Sequence, residues 1–318
     1  MNRRTALTTL MAPGAGLLAG LAAARMTGVH AQARQKKGSD ETFTLRSDVR
    51  LVLLDVSVKD RNGGFAADLT KGNFAIEENG KPQRITVFSH DDTPVTIGIL
   101  VDESLSMTPK HADVLTAANV FVQECNRKDE IFVLHFNDIV RTGLPANTLF
   151  SDDVKQLHDA LMRGRPAGKT ALYDAVIAGL EHLGKGRQTR KALVLISDGG
   201  DTASRHPRRE MIDMVEHSPA TIYAVGIYDE DDPDRAPGLL RQLAGVSGGL
   251  AFFPAATQTI VPVCRQIARE IRSTYTLGYV PDAGNGDVRR IQVHVATPGR
   301  DKLIVRSRNS YRYSGGEA

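Results

Sequence analysis

The sequence predicts an α/β protein built on a doubly wound, mostly parallel sheet, with a small β-sandwich-like accessory domain made from strands on either side of it. Three observations carry this. Val95–Val101 and Ala192–Ile196 are continuous apolar runs, as strands buried on both faces require. Segments with apolar residues at helical spacing alternate with those runs. Before and after this region lie blocks of short strands with period-two alternation and turn residues between them.

The first 33 residues stand apart from any fold. Arg3 and Arg4 precede an apolar run through Leu17, Leu18 and Leu21, and Ala31-Gln32-Ala33 closes it. A basic start, an apolar middle and a small-x-small end describe a cleaved secretory signal. Asn-Arg-Arg-Thr-Ala-Leu is also similar to a twin-arginine signal, so either export route stays open. Pro13, three glycines and Arg25 interrupt the run too often for a bilayer span. No later stretch is long and apolar enough to span either. The expectation is therefore an exported protein, periplasmic or extracellular, cleaved near Ala33 and without a membrane span after cleavage.

Removing that leader changes the charge. It holds three arginines and no acid, so Lys+Arg falls from 40 to 37 against 37 Asp+Glu. A formally neutral mature chain carries no electrostatic footprint for nucleic acid.

Residues 34–47 are polar and irregular and read as a linker. Val52, Leu54, Val56 and Val58 alternate as a half-buried strand, and Asn62-Gly63-Gly64 turns the chain. Phe74–Ile76 and Ile85–Phe88 read as further strands, separated by Asn79-Gly80. At the other end, Tyr275–Tyr279, the alternation of Ile291, Val293 and Val295, the Pro298-Gly299 turn and Leu303–Val305 form a second strand-rich block. Neither block has enough strands to bury a face alone. Residues 48–93 and 275–313 are therefore expected to pair into one accessory domain.

Between them, residues 94–273 read as the main domain. Pro109–Cys125 is expected as a helix with Val114, Ala118, Phe121, Val122 and Cys125 on one face. Ile131–Phe136 follows as a strand, and Ala171–Leu183 as a helix striped by Leu172, Val176, Ile177, Leu180 and Leu183. Ile222–Val225 is a third buried strand, and Ile260, Val263, Cys264, Ile267 and Ile271 mark a last helix. Alternation of this kind implies the Rossmann-like, doubly wound arrangement.

In such sheets ligands bind beyond the carboxyl ends of the strands, where strand order reverses. The strand ending at Val101 runs into Asp102-Glu103-Ser104-Leu105-Ser106-Met107, and the strand ending at Ile196 runs into Ser197-Asp198-Gly199. Asp102 and Asp198 therefore belong to one sheet edge, where a carboxylate pair is solvated, shares a proton or is neutralised by a cation. Ser104 and Ser106 add hydroxyl oxygens in alternation, and Thr170 opens the helix at 171. Oxygen-only donors suit a hard cation, Mg²⁺ first, with Mn²⁺ or Ca²⁺ as alternatives. Two carboxylates and a few hydroxyls leave a coordination position for a partner's carboxylate.

Asp-x-Ser-x-Ser, the Thr of Gly168-Lys169-Thr170-Ala171-Leu172 and the Ser197-Asp198-Gly199 turn together resemble the metal-ion-dependent adhesion site of von Willebrand factor A domains. The resemblance covers roughly 94–273. It implies that Ser104 and Ser106 bind the metal directly, and Asp102, Thr170 and Asp198 directly or through water. The Asn73-Phe74…Glu78-Asn79-Gly80-Lys81 block and Tyr275–Tyr279 are similar to a bacterial subfamily, the acidobacterial-type von Willebrand A-related proteins. Leu105 departs from the family, which commonly has Gly there.

Asp201 and Asp174 lie near these positions in sequence and read as second-layer acceptors or surface acids. The acidic run Asp229–Asp234 reads as a solvated loop or a further cation site. Cys125 and Cys264 are either a disulfide or two buried thiols; the resemblance places their helices side by side. The histidines lack metal-ligand spacing, His135 reads as structural, and no nucleophile–base motif is present. The sequence thus predicts a non-enzymatic module that captures an acidic group of a partner protein through one cation. The alternatives are a structural subunit of an envelope assembly and, for lack of a committed general base, a less favoured metal-assisted hydrolase.

Overall fold

The structure, a computed structural model, describes residues 51–227, 235–282, 288–297 and 303–312. The leader, the linker, the acidic run and the Pro298-Gly299 turn lie outside the described residues. The described residues form, in chain order, β1 (Val52–Lys59), β2 (Phe74–Glu78), β3 (Lys81–Gln83), β4 (Ile85–Ser89), β5 (Val95–Asp102), α1 (His111–Glu124), β6 (Glu130–Phe136), β7 (Val140–Thr142), α2 (Val154–Leu161), α3 (Leu172–Gly184), β8 (Arg190–Ser197), α4 (Arg208–His217), β9 (Thr221–Gly226), α5 (Pro237–Ser247), β10 (Ala251–Phe252), α6 (Ile260–Arg272), β11 (Tyr275–Tyr279), β12 (Val288–Val295), β13 (Ile304–Arg306) and β14 (Ser310–Arg312).

The central sheet runs β10-β9-β8-β5-β6-β7, parallel throughout except for β7, which folds back on β6. Every residue of β5 and β6 is buried, which is why these strands read as unbroken apolar runs rather than alternations. Gly98 shows how closely the layers meet: a Cβ there would lie 2.7 Å from Leu193 Cδ1 and would overlap the Phe132 ring. The chain leaves β5 toward β6 on one side and returns through α3 to β8 on the other. The strand order therefore reverses at β5, and a crevice forms between the ends of β5 and β8. Val101 pairs with Ile196, so the residues that follow each strand emerge side by side.

The helices fall into two groups of neighbours. α1 packs on α2 and α6, while α3 packs on α4, which packs on α5. The helix expected from Pro109 begins two residues later. Residues Leu105–Lys110 form a 3-10 segment containing Pro109, and α1 starts at His111. The Met107 amide donates to the Ser104 carbonyl in the shorter repeat, which holds the chain close to the strand end. α2, α4 and α5 were not legible in the sequence. α4 buries only Met211 and Val215, too few to mark a stripe. The glycine-rich stretch at 245–249 ends α5: Gly248 has φ +83°, and a Cβ there would press on the Arg308 backbone.

The flanking strands form two further antiparallel sheets, β13-β1-β11-β4 and β14-β12-β2-β3. Each mixes strands from before and after the central region. Leu54, Val56, Phe74, Ile76, Tyr275, Leu277, Tyr279 and Ile291 form one apolar cluster between them. Cys125 and Cys264, on neighbouring helices, are both free thiols, and burial pushes the Cys264 thiol up to about 12. Among the described residues, no helix is long and apolar enough to cross a membrane.

Candidate metal centre

Because β5 and β8 end together, Asp102 meets the residues that follow Ile196. The Ser197 hydroxyl donates to Asp102 Oδ2 at 2.6 Å, and the Ser104 amide donates to Asp102 Oδ1 at 2.9 Å. The second bond turns the chain over the strand tip and sets Ser104 at the start of the 3-10 segment. The Ser106 hydroxyl donates to Asp198 Oδ2 at 2.6 Å, and Ser104 Oγ lies 3.0 Å from Ser106 Oγ. Ser106 has spent its single hydrogen on Asp198, so Ser104 is the donor between the two serines. Asp198 Oδ1 accepts from the Gly200 amide. Gly199 is required at this turn: its φ is +87°, and a Cβ would lie 2.9 Å from the Ala236 carbonyl oxygen.

Thr170 arrives from a different part of the chain. Its amide donates to Thr202 Oγ1, and its carbonyl accepts from the Thr202 and Ala203 amides, which ties it to the segment after β8. The Leu105 amide donates to the Gly168 carbonyl, which ties the same segment to the loop after β5. Ser104, Ser106, Thr170 and Asp198 accordingly line one cavity of about 210 Å³, with Leu105, Gly168, Lys169, Gly200 and Thr202 completing the wall. Asp102 lies behind it, fully buried. Thr202 was not singled out from the sequence; a lone Thr in a loop carries no signal until the loop is placed.

Burial, and then the nearby Asp198 charge, push the Asp102 carboxyl up from 3.8 to about 7. Two carboxylates share this pocket, and among the described residues no lysine or arginine hydrogen-bonds or ion-pairs with either. The arrangement fits a cation on its chemistry: side-chain oxygens only, crowded negative charge and an adjoining cavity.

A pH dependence follows. The Asp102 pKa is raised on folding, so its contribution to the stability of the metal-free protein is fully present below about 3.8 and is lost as pH rises through about 7. The melting temperature of EDTA-treated protein, taken relative to Asp102→Asn, is expected to rise on going from about pH 8 to about pH 5.5. A difference that stays flat with pH contradicts this.

Asp201 and Asp174 stand outside the cavity wall. Asp201 Oδ1 accepts from the Tyr173 amide at 3.2 Å and from the Ser204 hydroxyl at 2.5 Å. Asp174 accepts from the Arg205 and His206 amides and contacts His206 Nδ1 at 2.8 Å. Both brace the start of α3 against the loop after β8, and neither lines the cavity. A larger depression of about 610 Å³ opens at the opposite edge of the sheet, by Glu130, Phe150 and Arg187. It lacks a comparable convergence: Arg187 is paired with Glu130, and Asp129 with Arg272.

A family profile described as the von Willebrand factor type A domain matches residues 96–261. No curated protein matches the chain. Among solved structures, the chain is similar to a von Willebrand factor type A protein from Catenulispora acidiphila, at 14% identity and a TM-score of 0.52, over 84% of this chain and 75% of that one. It also resembles the vWF domain of the type V pili tip protein Mfa5 from Porphyromonas gingivalis, at 13% identity and a TM-score of 0.48, over 57% of this chain and 95% of that one. A third is proximal thread matrix protein 1 from the mussel byssus with a zinc-occupied MIDAS motif, at 16% identity and a TM-score of 0.46, over 57% of this chain and 48% of that one. The profile spans more than half of the sequence and contains both strand tips and the loop between them, and with the sheet order it makes this chain a member of the von Willebrand factor type A domain family.

Proposed function

We propose that the chain is a binding module that holds one divalent cation, Mg²⁺ before Mn²⁺ or Ca²⁺, at Asp102, Ser104, Ser106, Thr170 and Asp198, and captures an acidic group of a partner protein. The observation that carries this reading is the chain of bonds joining two buried strand-tip carboxylates beside an open cavity: Asp102 accepts from the Ser104 amide, Ser104 Oγ meets Ser106 Oγ, and Ser106 donates to Asp198. The cation would supply a positive centre with a coordination position left for a carboxylate. The chain's own residues do the rest. Asp102 and Asp198 supply the charge, the serines and Thr170 supply neutral oxygens, and the exposed Leu105 and Lys169 stand at the mouth. The Ser106 and Ser197 hydroxyls bond carboxylates, and among the described residues no histidine bonds either serine, which supports binding rather than catalysis. The leader at 1–33 supports export to the periplasm or beyond, and residues 48–93 with 275–313 act as the accessory domain.

The test is capture from an envelope extract by immobilised protein. A partner retained with Mg²⁺, released by EDTA and lost with Asp198→Asn is the expected result. Retention that ignores EDTA, or that is equal for wild type and Asp198→Asn, overturns the reading.

A further inference from the structure

Glu103 follows Asp102 directly, at the solvent-facing edge of a sheet, yet it is only 2% exposed. A buried carboxylate is expensive unless it is paired and bonded. Its Oε1 lies 3.0 Å from His135 Nδ1, in hydrogen-bonding contact, and its Oε2 lies 2.7 Å from His111 Nε2. The His111 contact is close but does not have the geometry of a hydrogen bond. His135 Nε2 lies 2.9 Å from the Ala160 carbonyl; a carbonyl only accepts, so that nitrogen carries a proton. The Glu103 backbone is held as well. Its amide donates to the Phe136 carbonyl, and its carbonyl accepts from the Ala167 amide, both at 2.7 Å. Gly164 leaves the space that the carboxylate fills, since a Cβ there would overlap Glu103 Oε1.

One residue therefore joins four places: the tip of β5, the end of β6, the start of α1 and the 160–167 segment. That segment leads directly into Gly168-Lys169-Thr170. Ser104 and Ser106 lie on one side of Glu103 in the chain, and Thr170 lies at the end of the segment it grips.

Resting on the cation-site reading above, we propose that Glu103 is a positioning residue for that site. Through His135 and the Ala167 amide it locks the 102–106 loop against the 160–170 segment, and so sets the spacing of the serine hydroxyls from Thr170. Residues that orient ligands in this way typically change metal affinity by about 10- to 100-fold when removed.

The experiment measures the Mg²⁺ dissociation constant by calorimetry and the Mn²⁺ signal by electron paramagnetic resonance. It uses wild type, Glu103→Ala, Glu103→Gln, His135→Phe and, as a control, Glu270→Gln. Glu270 is fully buried and accepts from Ser57 and Arg306, and it is not part of the cavity wall. Melting of the metal-free proteins is recorded in parallel. Glu103→Ala and His135→Phe are expected to weaken Mg²⁺ binding roughly 10- to 100-fold and to broaden the Mn²⁺ signal. Glu103→Gln, which keeps an acceptor oxygen for His135 and the side-chain length, is expected to restore most of the affinity. Glu270→Gln is expected to lower the melting temperature without changing affinity. If Glu103→Ala does not fold, His135→Phe and Glu103→Gln decide. Wild-type affinity in Glu103→Ala or His135→Phe overturns the positioning role while leaving the cation site standing. Absence of Mg²⁺ binding by wild type overturns the cation site itself.

Discussion

Mg²⁺ is expected to raise the melting temperature of the protein by about 5–10 °C when present at about a hundred times its dissociation constant, and Asp102→Asn is expected to abolish that rise. A ligand at that excess stabilises the folded state by about 2.7 kcal/mol, and a protein of this size melts roughly 2–4 °C higher for each kcal/mol. The variant has a second, opposite signature. Asp102 is buried beside Asp198 and its carboxyl titrates near 7, so the ionised form destabilises the metal-free fold at neutral pH. Asparagine keeps the acceptor for the Ser104 amide and presents an amide group to the Ser197 hydroxyl, which can accept as well as donate. Metal-free Asp102→Asn should therefore melt at or above metal-free wild type while ignoring Mg²⁺. A general destabilisation would lower both curves together. A Mg²⁺ shift of equal size in both proteins, measured by differential scanning calorimetry, would remove Asp102 from the site.

The second large effect lies away from the cavity. Glu78, 4% exposed, accepts from Arg289 at 2.6 Å, from the Tyr279 hydroxyl at 2.7 Å and from the Tyr311 hydroxyl at 2.8 Å. These partners come from β12, β11 and β14, so one carboxylate on β2 joins both flanking sheets. Burial pushes the Tyr279 and Tyr311 phenols well above their ordinary range, which keeps both as donors at any pH of interest. Glu78→Ala would take from the buried Arg289 guanidinium its carboxylate partner. Removing one side of a buried charge pair typically destabilises by about 3–5 kcal/mol. Urea denaturation is expected to show a loss of that order for Glu78→Ala and a smaller one for Glu78→Gln, which retains an acceptor. A change below about 1 kcal/mol in Glu78→Ala would mean that the network contributes little.

Much of this was legible in sequence, for reasons particular to each element. β5 and β8 are buried on both faces, so their composition alone marks them, and the residues just beyond a parallel strand must sit at its carboxyl edge. Asp102 and Asp198 could be placed on one edge from that rule. α3 and α6 carry wide apolar stripes and were visible for the same reason. α4 buries too little to show a period, and β7 and β10 are too short to have one.

What the linear order determined by itself is the scaffold, the edge that carries the chemistry and the kinds of oxygen present there, because burial and periodicity are local properties of a segment. What only the tertiary structure decided is which of those groups meet. Glu103 follows a strand tip and His135 lies inside a strand, and nothing in the linear order links them. They are partners, because the pairing of β5 with β6 sets Val101 opposite His135, and Glu103, two residues beyond Val101, reaches back to the same imidazole. Glu78 likewise finds Tyr279, Tyr311 and Arg289 at separations of about two hundred residues, which no local pattern encodes. Long-range polar pairing depends on how layers stack, and that is set by the packing of the whole core.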